Sequence, residues 1–461
     1  MESCENKGLV TRRGLIGRSA LALGGLALPV GCRRPANQRI TLGCIGMGKM
    51  GVQVMNSFLQ DPRVQVVAVC DVNEESDGYW HNETFGREPG RRVVDDFYGR
   101  AWNSLKGGSS ACSAYVDYRE MLEKEDLDAV LISTPNHWHA LQAIAAADKG
   151  IHVYGQKPLA RTIGEGRAIC QAVETSGIVW QTGSQQRSDQ YFRKACELVR
   201  NGRLGKVDRV EITLPGGNPN YSRRGKEKAT VAVPEGFDFD LWLGPAPVAD
   251  YCPARTHANW RWNWDYAGGN VTDFGAHHID IALWGLGLEH TGPSEIRIID
   301  AEVPEPGELY NTPFKFHFEV DLPGGTALVV KDAKHHEVEG GVRFIGENGD
   351  WIWCDRSGFK AEPRSLAGSL AESDVRLHQS HHHEEDFVTA IESKASGGAG
   401  ATVAPVEAAQ RAISIAHLAN IAMRLGLPQI QWNAANEMIV GAGAAEARAY
   451  IAQPMRSPWS L

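Results

Sequence analysis

Three sets of residues in this 461-residue chain have the types and spacing for chemistry. The first is Gly46-Met47-Gly48-Lys49-Met50-Gly51, a G-x-G-x-x-G turn that follows the apolar run Ile40-Thr41-Leu42-Gly43-Cys44-Ile45 and opens a helical stretch through Phe58. A second, largely β-branched run ends at Cys70-Asp71, which puts an acid 20 residues after Gly51. Strand, glycine turn, helix, strand, acid is the order of a dinucleotide-binding βαβ unit. Gly46 permits the tight turn, Gly48 lets the backbone approach a pyrophosphate, and Gly51 allows close helix–strand packing, with the anion at the helix N-terminus. Asp71 would accept hydrogen bonds from the adenosine ribose and repel a 2′-phosphate, which favours NAD over NADP. The second set is Lys157 in Gly155-Gln156-Lys157-Pro158, and the third lies in the run 268–280, with Asp273, His277 and Asp280. If that run is helical, these three stack on one face at i, i+4 and i+7, while His278 turns about 100° away, so His277 is preferred to His278.

The elements around these residues set their positions. Ala129-Val130-Leu131-Ile132-Ser133 reads as a buried strand with Thr134-Pro135-Asn136-His137-Trp138-His139 at its C-terminal end, and a helix follows over 140–148. Ile151-His152-Val153-Tyr154 is a further strand, with the Lys157 turn at its end. Ligands of doubly wound sheets lie beyond the carboxyl ends of strands, so both polar turns sit on the cofactor side. The strand 178–180 precedes Gly183-Ser184-Gln185-Gln186-Arg187 and a helix over 192–200. From Val207 onward the predicted strands 210–214, 314–320, 327–330, 342–345 and 351–354, with a hairpin turn at Glu347-Asn348-Gly349-Asp350, suggest a mostly antiparallel sheet. Residues 74–114 carry little periodicity and read as a helix with a long surface insertion. The expected architecture is α/β: an N-terminal Rossmann domain over 38–160 and a C-terminal α/β sheet domain over 161–461.

With these motifs in place the chain resembles the Gfo/Idh/MocA family, which includes glucose-fructose oxidoreductase and inositol dehydrogenase. The resemblance rests on the glycine fingerprint, the Thr134-Pro135-Asn136 turn with His139, the Lys157-Pro158 pair and the D-x-x-x-H at 273–277. In the family a Glu usually precedes the Lys-Pro pair, whereas Gln156 stands here. The resemblance implies hydride transfer between a carbinol carbon and a nicotinamide. His277 would take or give the hydroxyl proton, Asp273 would orient His277, and Lys157 would stabilise alkoxide charge. It also implies that Thr134, Pro135, Asn136 and His139 line the nicotinamide ribose side, that Gln156 and Lys157 contact the cofactor, and that Gln185 and Arg187 face the cleft. The run Trp260-Arg261-Trp262-Asn263-Trp264-Asp265-Tyr266 is the best hint of substrate, since Trp stacks on sugar rings and Arg261 and Asn263 could bind hydroxyls. Trp260, Arg261, Trp264, Asp273, His277 and His278 are therefore the expected contacts, with Arg187, to a sugar or polyol.

Composition excludes several other functions. Hydrophobic residues are 43% and charged residues 22%, the balance of a globular protein. With 47 Lys plus Arg against 56 Asp plus Glu, the net charge of -9 offers no basic face, so nucleic acid is not an expected partner. The nine cysteines are scattered without C-x-x-C spacing and read as small core residues rather than disulfides or a zinc site. His378 and the run His381-His382-His383-Glu384-Glu385-Asp386 invite a metal reading, but without a companion cluster they read as the polar first turn of a helix continuing through Phe387 and Ile391. No metal is expected, and a histidine of this run could equally contact substrate.

The first 35 residues read as an export signal: Arg12-Arg13, then a short apolar stretch over 19–30, then Gly31-Cys32-Arg33-Arg34-Pro35. This resembles a twin-arginine (Tat) signal, too short to span a bilayer, and predicts a periplasmic protein. Cys32 is a candidate lipid anchor, although Pro29 stands where an aliphatic residue is expected. Free NAD(H) is scarce outside the cytosol, so export predicts a retained cofactor regenerated within the cycle. Two enzyme types meet that demand: a sugar oxidoreductase working by ping-pong exchange, and a redox-neutral lyase or glycosidase acting through a transient keto-sugar. A cofactor-loaded sugar-binding protein, or a cytosolic dehydrogenase whose signal is unused, are the other readings. Family resemblance also predicts a homo-oligomer, dimer or tetramer, built through the C-terminal sheet.

Overall fold

The computed structural model describes residues 38–79, 83–102, 112–217, 223–305, 307–337 and 339–461. The expected export segment and Cys32 lie outside them. Among the described residues no helix is long and apolar enough to cross a membrane.

Six parallel strands form the first sheet in the order β3-β2-β1-β4-β5-β6: β1 Ile40–Ile45, β2 Val64–Cys70, β3 Ser113–Tyr115, β4 Ala129–Ile132, β5 His152–Gly155 and β6 Trp180–Thr182. A parallel sheet covered on both faces demands near-continuous apolar strands, and all four residues of β4 are buried. Successive side chains of β4 enter opposite layers: Val130 and Ile132 join one core, Ala129 and Leu131 the other. The second core also holds Phe387, Val388, Ala390 and Ile391 from the helix His383–Ala395, so a late segment of the chain closes over the first domain. That helix begins where the histidine-rich run was expected to open one. The boundary expected after residue 160 falls later, because the helix Ile163–Ser176 leads into β6, which pairs with β5.

The second sheet has nine strands, ordered β13-β12-β11-β7-β10-β9-β8-β14-β15. Its members are β7 Val207–Leu214, β8 Glu295–Glu302, β9 Lys315–Asp321, β10 Ala327–Asp332, β11 Gly341–Gly346, β12 Trp351–Asp355, β13 Gly358–Glu362, β14 Gln429–Asn433 and β15 Met438–Val440. All neighbours are antiparallel except β7 and β10. The hairpin at 347–350 forms as expected, with Gly349 at φ 84°. Strands β8 and β13 to β15 escaped the sequence pattern, since β8 lacks alternation and the others have five residues or fewer. Strand β9 alternates strictly, and its inward Phe316, Phe318 and Val320 meet Ile279 and Leu283 of the helix Gly275–Leu286 and Ile413 and Ala416 of the helix Val406–Leu425 in one core. The helix Gly275–Leu286 is thus anchored on the second sheet, and its N-terminal end faces the strand ends of the first. All seven described cysteines are buried and free, as their apolar surroundings suggested.

Candidate active site

The glycine turn is shaped by contact as well as by dihedral angle. Gly46 has φ 89°, and a Cβ there would strike the Ser133 backbone, while one on Gly51 would strike the carbonyl of Gly46. The helix Lys49–Gln60 that follows has Gly48 at its N-cap, no side-chain cap and no acid in its first turn, so its opening N–H groups are left for an anion. Asp71 closes β2. Its Oδ2 accepts from the Met47 N–H at 2.6 Å and its Oδ1 from the Asn73 N–H at 2.9 Å, and burial raises its pKa to about 6 despite these bonds. A cavity of about 710 Å³ starts here, lined by Gly46, Gly48, Lys49, Met50 and Asp71. It is of the size that binds small molecules and cofactors. A dinucleotide fits this end: the glycines leave a cradle, the helix start supplies donors, and Asp71 keeps lone pairs toward the cavity.

The same cavity runs on to Thr134, Pro135, Lys157, Gln185, Trp260, Arg261, Asp273 and His277. His139 ties two of the turns together from behind, with Nδ1 2.8 Å from the Pro158 carbonyl and Nε2 3.0 Å from the Thr134 carbonyl. Lys157 Nζ donates to Asp273 Oδ1 at 2.6 Å and to the Asp273 carbonyl at 3.0 Å. The other carboxylate oxygen faces Arg261 Nε at 3.7 Å. Burial would push the Asp273 carboxyl up, but Lys157, Arg261 and Arg356 outweigh it and hold the group below its ordinary value. Burial also lowers the Lys157 ammonium, and Arg261 and Arg356 lower it further, against the pull of Asp273.

The segment predicted to be helical is so. Gly269–Asp273 and Gly275–Leu286 join through Phe274, which itself has right-handed helical angles. Asp273 and His277 therefore share a face, but Asp273 makes its contacts to Lys157 and Arg261 and not to the imidazole. Two full positive charges attract a carboxylate more strongly than a neutral ring does. His277 is 5% exposed, its Nδ1 has no hydrogen-bond partner, and burial, with Lys157 and Arg356 adding, drives its pKa well below 6.5. It is a neutral, unengaged imidazole on the cavity wall.

Several expected site residues lie elsewhere. Arg187 is buried and committed: Nε and Nη2 grip Asp280 at 2.6 and 2.7 Å, and Nη1 reaches Glu289 at 2.8 Å. It holds the helix Gly275–Leu286 in place and does not line the cavity. His278 points away as its 100° offset requires, packs against Phe192 and Phe274, and does not line the cavity. Trp264 packs beside Tyr450 and Arg424 and does not line the cavity. Asn136 and Gln156 are buried behind the turns, Gln156 pressed against Gly183, and Met47 and Gly51 take part through backbone and packing alone. The histidines after 377 separate: His378 pairs with Asp386 at 2.6 Å, while His383 bonds Ser188 at 2.7 Å and the Thr182 carbonyl at 2.8 Å.

The cavity also includes residues that the sequence did not single out. Tyr79 lies over the glycine turn, where a Cβ on Gly48 would meet its ring at 3.2 Å. His257 packs on Tyr79 at 4.4 Å between ring centroids and stacks with Phe237 at 6.1 Å. These aromatics come from irregular segments with no period to reveal them. Backbone bonds from Glu74 to Gly236 (2.8 Å) and from Asp238 to Val72 (3.0 Å) pin the two segments together. Arg356, in the turn between β12 and β13, completes the wall beside Phe274.

Comparison with known proteins agrees with the two-domain fold. Residues 40–184 match the oxidoreductase family's NAD-binding Rossmann fold (GFO_IDH_MocA), and residues 189–461 match that family's C-terminal alpha/beta domain. A D-xylose 1-dehydrogenase (NADP(+)) 2 of Haloferax volcanii is 31% identical over 175 residues, 38% of this chain and 43% of the relative. A glycosyl hydrolase family 109 protein 1 of Shewanella sp. (strain MR-4) is 26% identical over 182 residues, 39% of this chain and 35% of the relative. The chain spans less than half the length of the curated relatives it matches. Among solved structures, aldose-aldose oxidoreductase from Caulobacter crescentus has the same fold, with a TM-score of 0.57 at 17% identity, over 85% of this chain and 99% of that one.

Proposed function

We propose that this chain, which belongs to the Gfo/Idh/MocA family of NAD(P)-binding oxidoreductases, transfers a hydride between a sugar or polyol carbinol and a nicotinamide held tightly and recycled in place. One observation carries the reading: the Lys157–Asp273 pair and the neutral imidazole of His277 share one cavity with the glycine turn and Asp71. A bound nicotinamide would supply the hydride acceptor or donor. Neutral His277 accepts the hydroxyl proton on its imidazole, Lys157 stabilises the oxygen as it becomes an alkoxide, and Asp273 fixes the direction of the ammonium. Asp71, with lone pairs left for ribose hydroxyls, favours NAD over NADP. Trp260 offers an apolar surface to a sugar ring.

Retention is supported by the aromatic contacts that Tyr79, His257 and Phe237 add beside the glycine turn. It suits a protein exported through the twin-arginine signal expected over residues 1–35, and a homo-oligomer through the nine-stranded sheet belongs to the same reading. The relatives named glycosyl hydrolase family 109 favour one second reading, a redox-neutral glycosidase acting through a transient keto-sugar.

Protein purified without added nucleotide should release near-stoichiometric NAD(H) on denaturation, measured by mass spectrometry. Sugars should then change the redox state of the bound nicotinamide. Protein free of nucleotide would overturn the retained-cofactor reading. Cleavage of a glycoside that consumes water and no acceptor would select the second reading.

The acid limb of sugar oxidation should lie below pH 6.5, the ordinary value for His. A base whose pKa is lowered stays unprotonated to more acid pH, so activity persists there and falls only when the imidazole charges. Single-turnover reduction of the bound nicotinamide against pH checks this; a limb at or above pH 6.5 would remove His277 as the base.

A further inference from the structure

The substrate end of the cavity gathers three cations, one of which has no carboxylate partner among the described residues. Lys157, Arg261 and Arg356 all line it, and Asp273 is the carboxylate that Lys157 and Arg261 share. Of the other acids on the wall, Asp189 Oδ1 caps a helix, accepting from Tyr191 N–H at 2.7 Å, and Glu384 accepts from the Tyr154 hydroxyl at 3.1 Å. Lys49 belongs to the far end and pairs with Glu83. Neither Asp189 nor Glu384 pairs with a cation among the described residues, so Asp273 is the carboxylate that answers Lys157 and Arg261, and Arg356 is left without one.

Arg356 is placed for a ligand. It occupies the turn between β12 and β13, is exposed, and makes no ion pair among the described residues. Its neighbour Asp355 is spent on the turn itself, accepting from the Ser357 N–H and hydroxyl at 2.6 Å each and from the Gly358 N–H at 3.0 Å. The Arg356 guanidinium lies 5.9 Å from the Phe274 ring centroid, and Lys157 Nζ lies 6.0 Å from the same centroid. The two cations thus lie near one ring, with the reacting end of the cavity at Lys157 and an open guanidinium at Arg356. Arginine's planar fork matches a carboxylate with two parallel bonds.

We propose that the sugar accepted here is a sugar acid, and that Arg356, assisted by Arg261, binds its carboxylate while Lys157 and His277 meet the carbinol. The proposal rests on the sugar-oxidoreductase reading above.

The test uses the full-length enzyme with its nucleotide, titrated with glucuronate, galacturonate, glucose, galactose and glucose 6-phosphate, following binding by tryptophan fluorescence and reaction by nicotinamide absorbance. The uronates should bind more tightly than the neutral sugars, and added salt should weaken them selectively. Arg356→Ala should weaken uronate binding about tenfold to hundredfold, the worth of a charge-assisted hydrogen-bonded pair, and so abolish the preference for uronates over neutral sugars. Arg356→Lys should restore only part of the loss, because the ammonium is a point charge. Neutral sugars binding as well as the uronates, with no effect of Arg356→Ala, would overturn the acid preference and leave the oxidoreductase reading standing. Tighter binding of glucose 6-phosphate than of either uronate would replace the carboxylate with a phosphate and overturn the proposal. Failure of every sugar to bind or react would remove both the acid preference and the reading on which it rests.

Discussion

Lys157→Met should lower the rate of bound-nicotinamide reduction by about 10²- to 10³-fold, the loss seen when one preorganised donor to a developing oxyanion is removed. The variant should still carry its nucleotide, because the glycine turn, Asp71 and the aromatics beside the turn lie at the other end of the cavity. Removing the ammonium has a second consequence. Asp273, 14% exposed at its side chain, keeps the charges of Arg261, at 3.7 Å, and of Arg356, so its carboxyl is held down less strongly, and the charge it retains is no longer screened from an alkoxide by the ammonium. Lys157→Arg should not rescue, since a bulkier planar cation cannot place one donor both on Asp273 and on the substrate oxygen. Single-turnover kinetics with the nucleotide content of each variant measured alongside will decide it. Wild-type rates in Lys157→Met would remove the lysine from the chemistry.

Arg187→Ala should cost about 3–5 kcal/mol of stability, the range for breaking a buried ion pair by deleting one partner. Arg187 and Asp280 are 2% and 3% exposed, and the guanidinium also satisfies Glu289 and the Val403 carbonyl at 3.1 Å while stacking on Trp284. Deletion leaves Asp280, whose carboxyl burial already pushes up, as an uncompensated charge in the core. Urea unfolding should show the loss, and Arg187→Ala with Asp280→Ala together should cost less than the single change, because no orphan charge remains. A substrate-binding arginine would behave otherwise, with unchanged unfolding and a raised KM.

The contrast between these two residues shows what was legible in the chain. Lys157 and Arg187 both follow a strand of the parallel sheet, both sit in polar turns, and local pattern gives the same expectation for each. Their fates differ because their partners lie 116 and 93 residues away, about two turns apart on one helical segment. The pairing of Asp273 with Lys157 instead of His277 is the same kind of event. Spacing put the acid and the imidazole on one face, and a charge from another domain then took the acid.

The amino-acid sequence by itself determined the dinucleotide end: the turn of Gly46, Gly48 and Gly51 and the acid at the end of β2 depend on backbone sterics and on contacts within one βαβ unit, which local order prescribes. It also determined the two-sheet α/β class, because period and apolar runs report which faces must be buried. Only the tertiary structure decided the substrate end. There the wall is assembled from the ends of β5 and β6, the start of the helix Gly275–Leu286, the irregular segment near Trp260 and the β12–β13 turn. Which cations meet which carboxylates among them is set by how two domains pack, since charge acts through space and carries no signature in the spacing of residues along a chain.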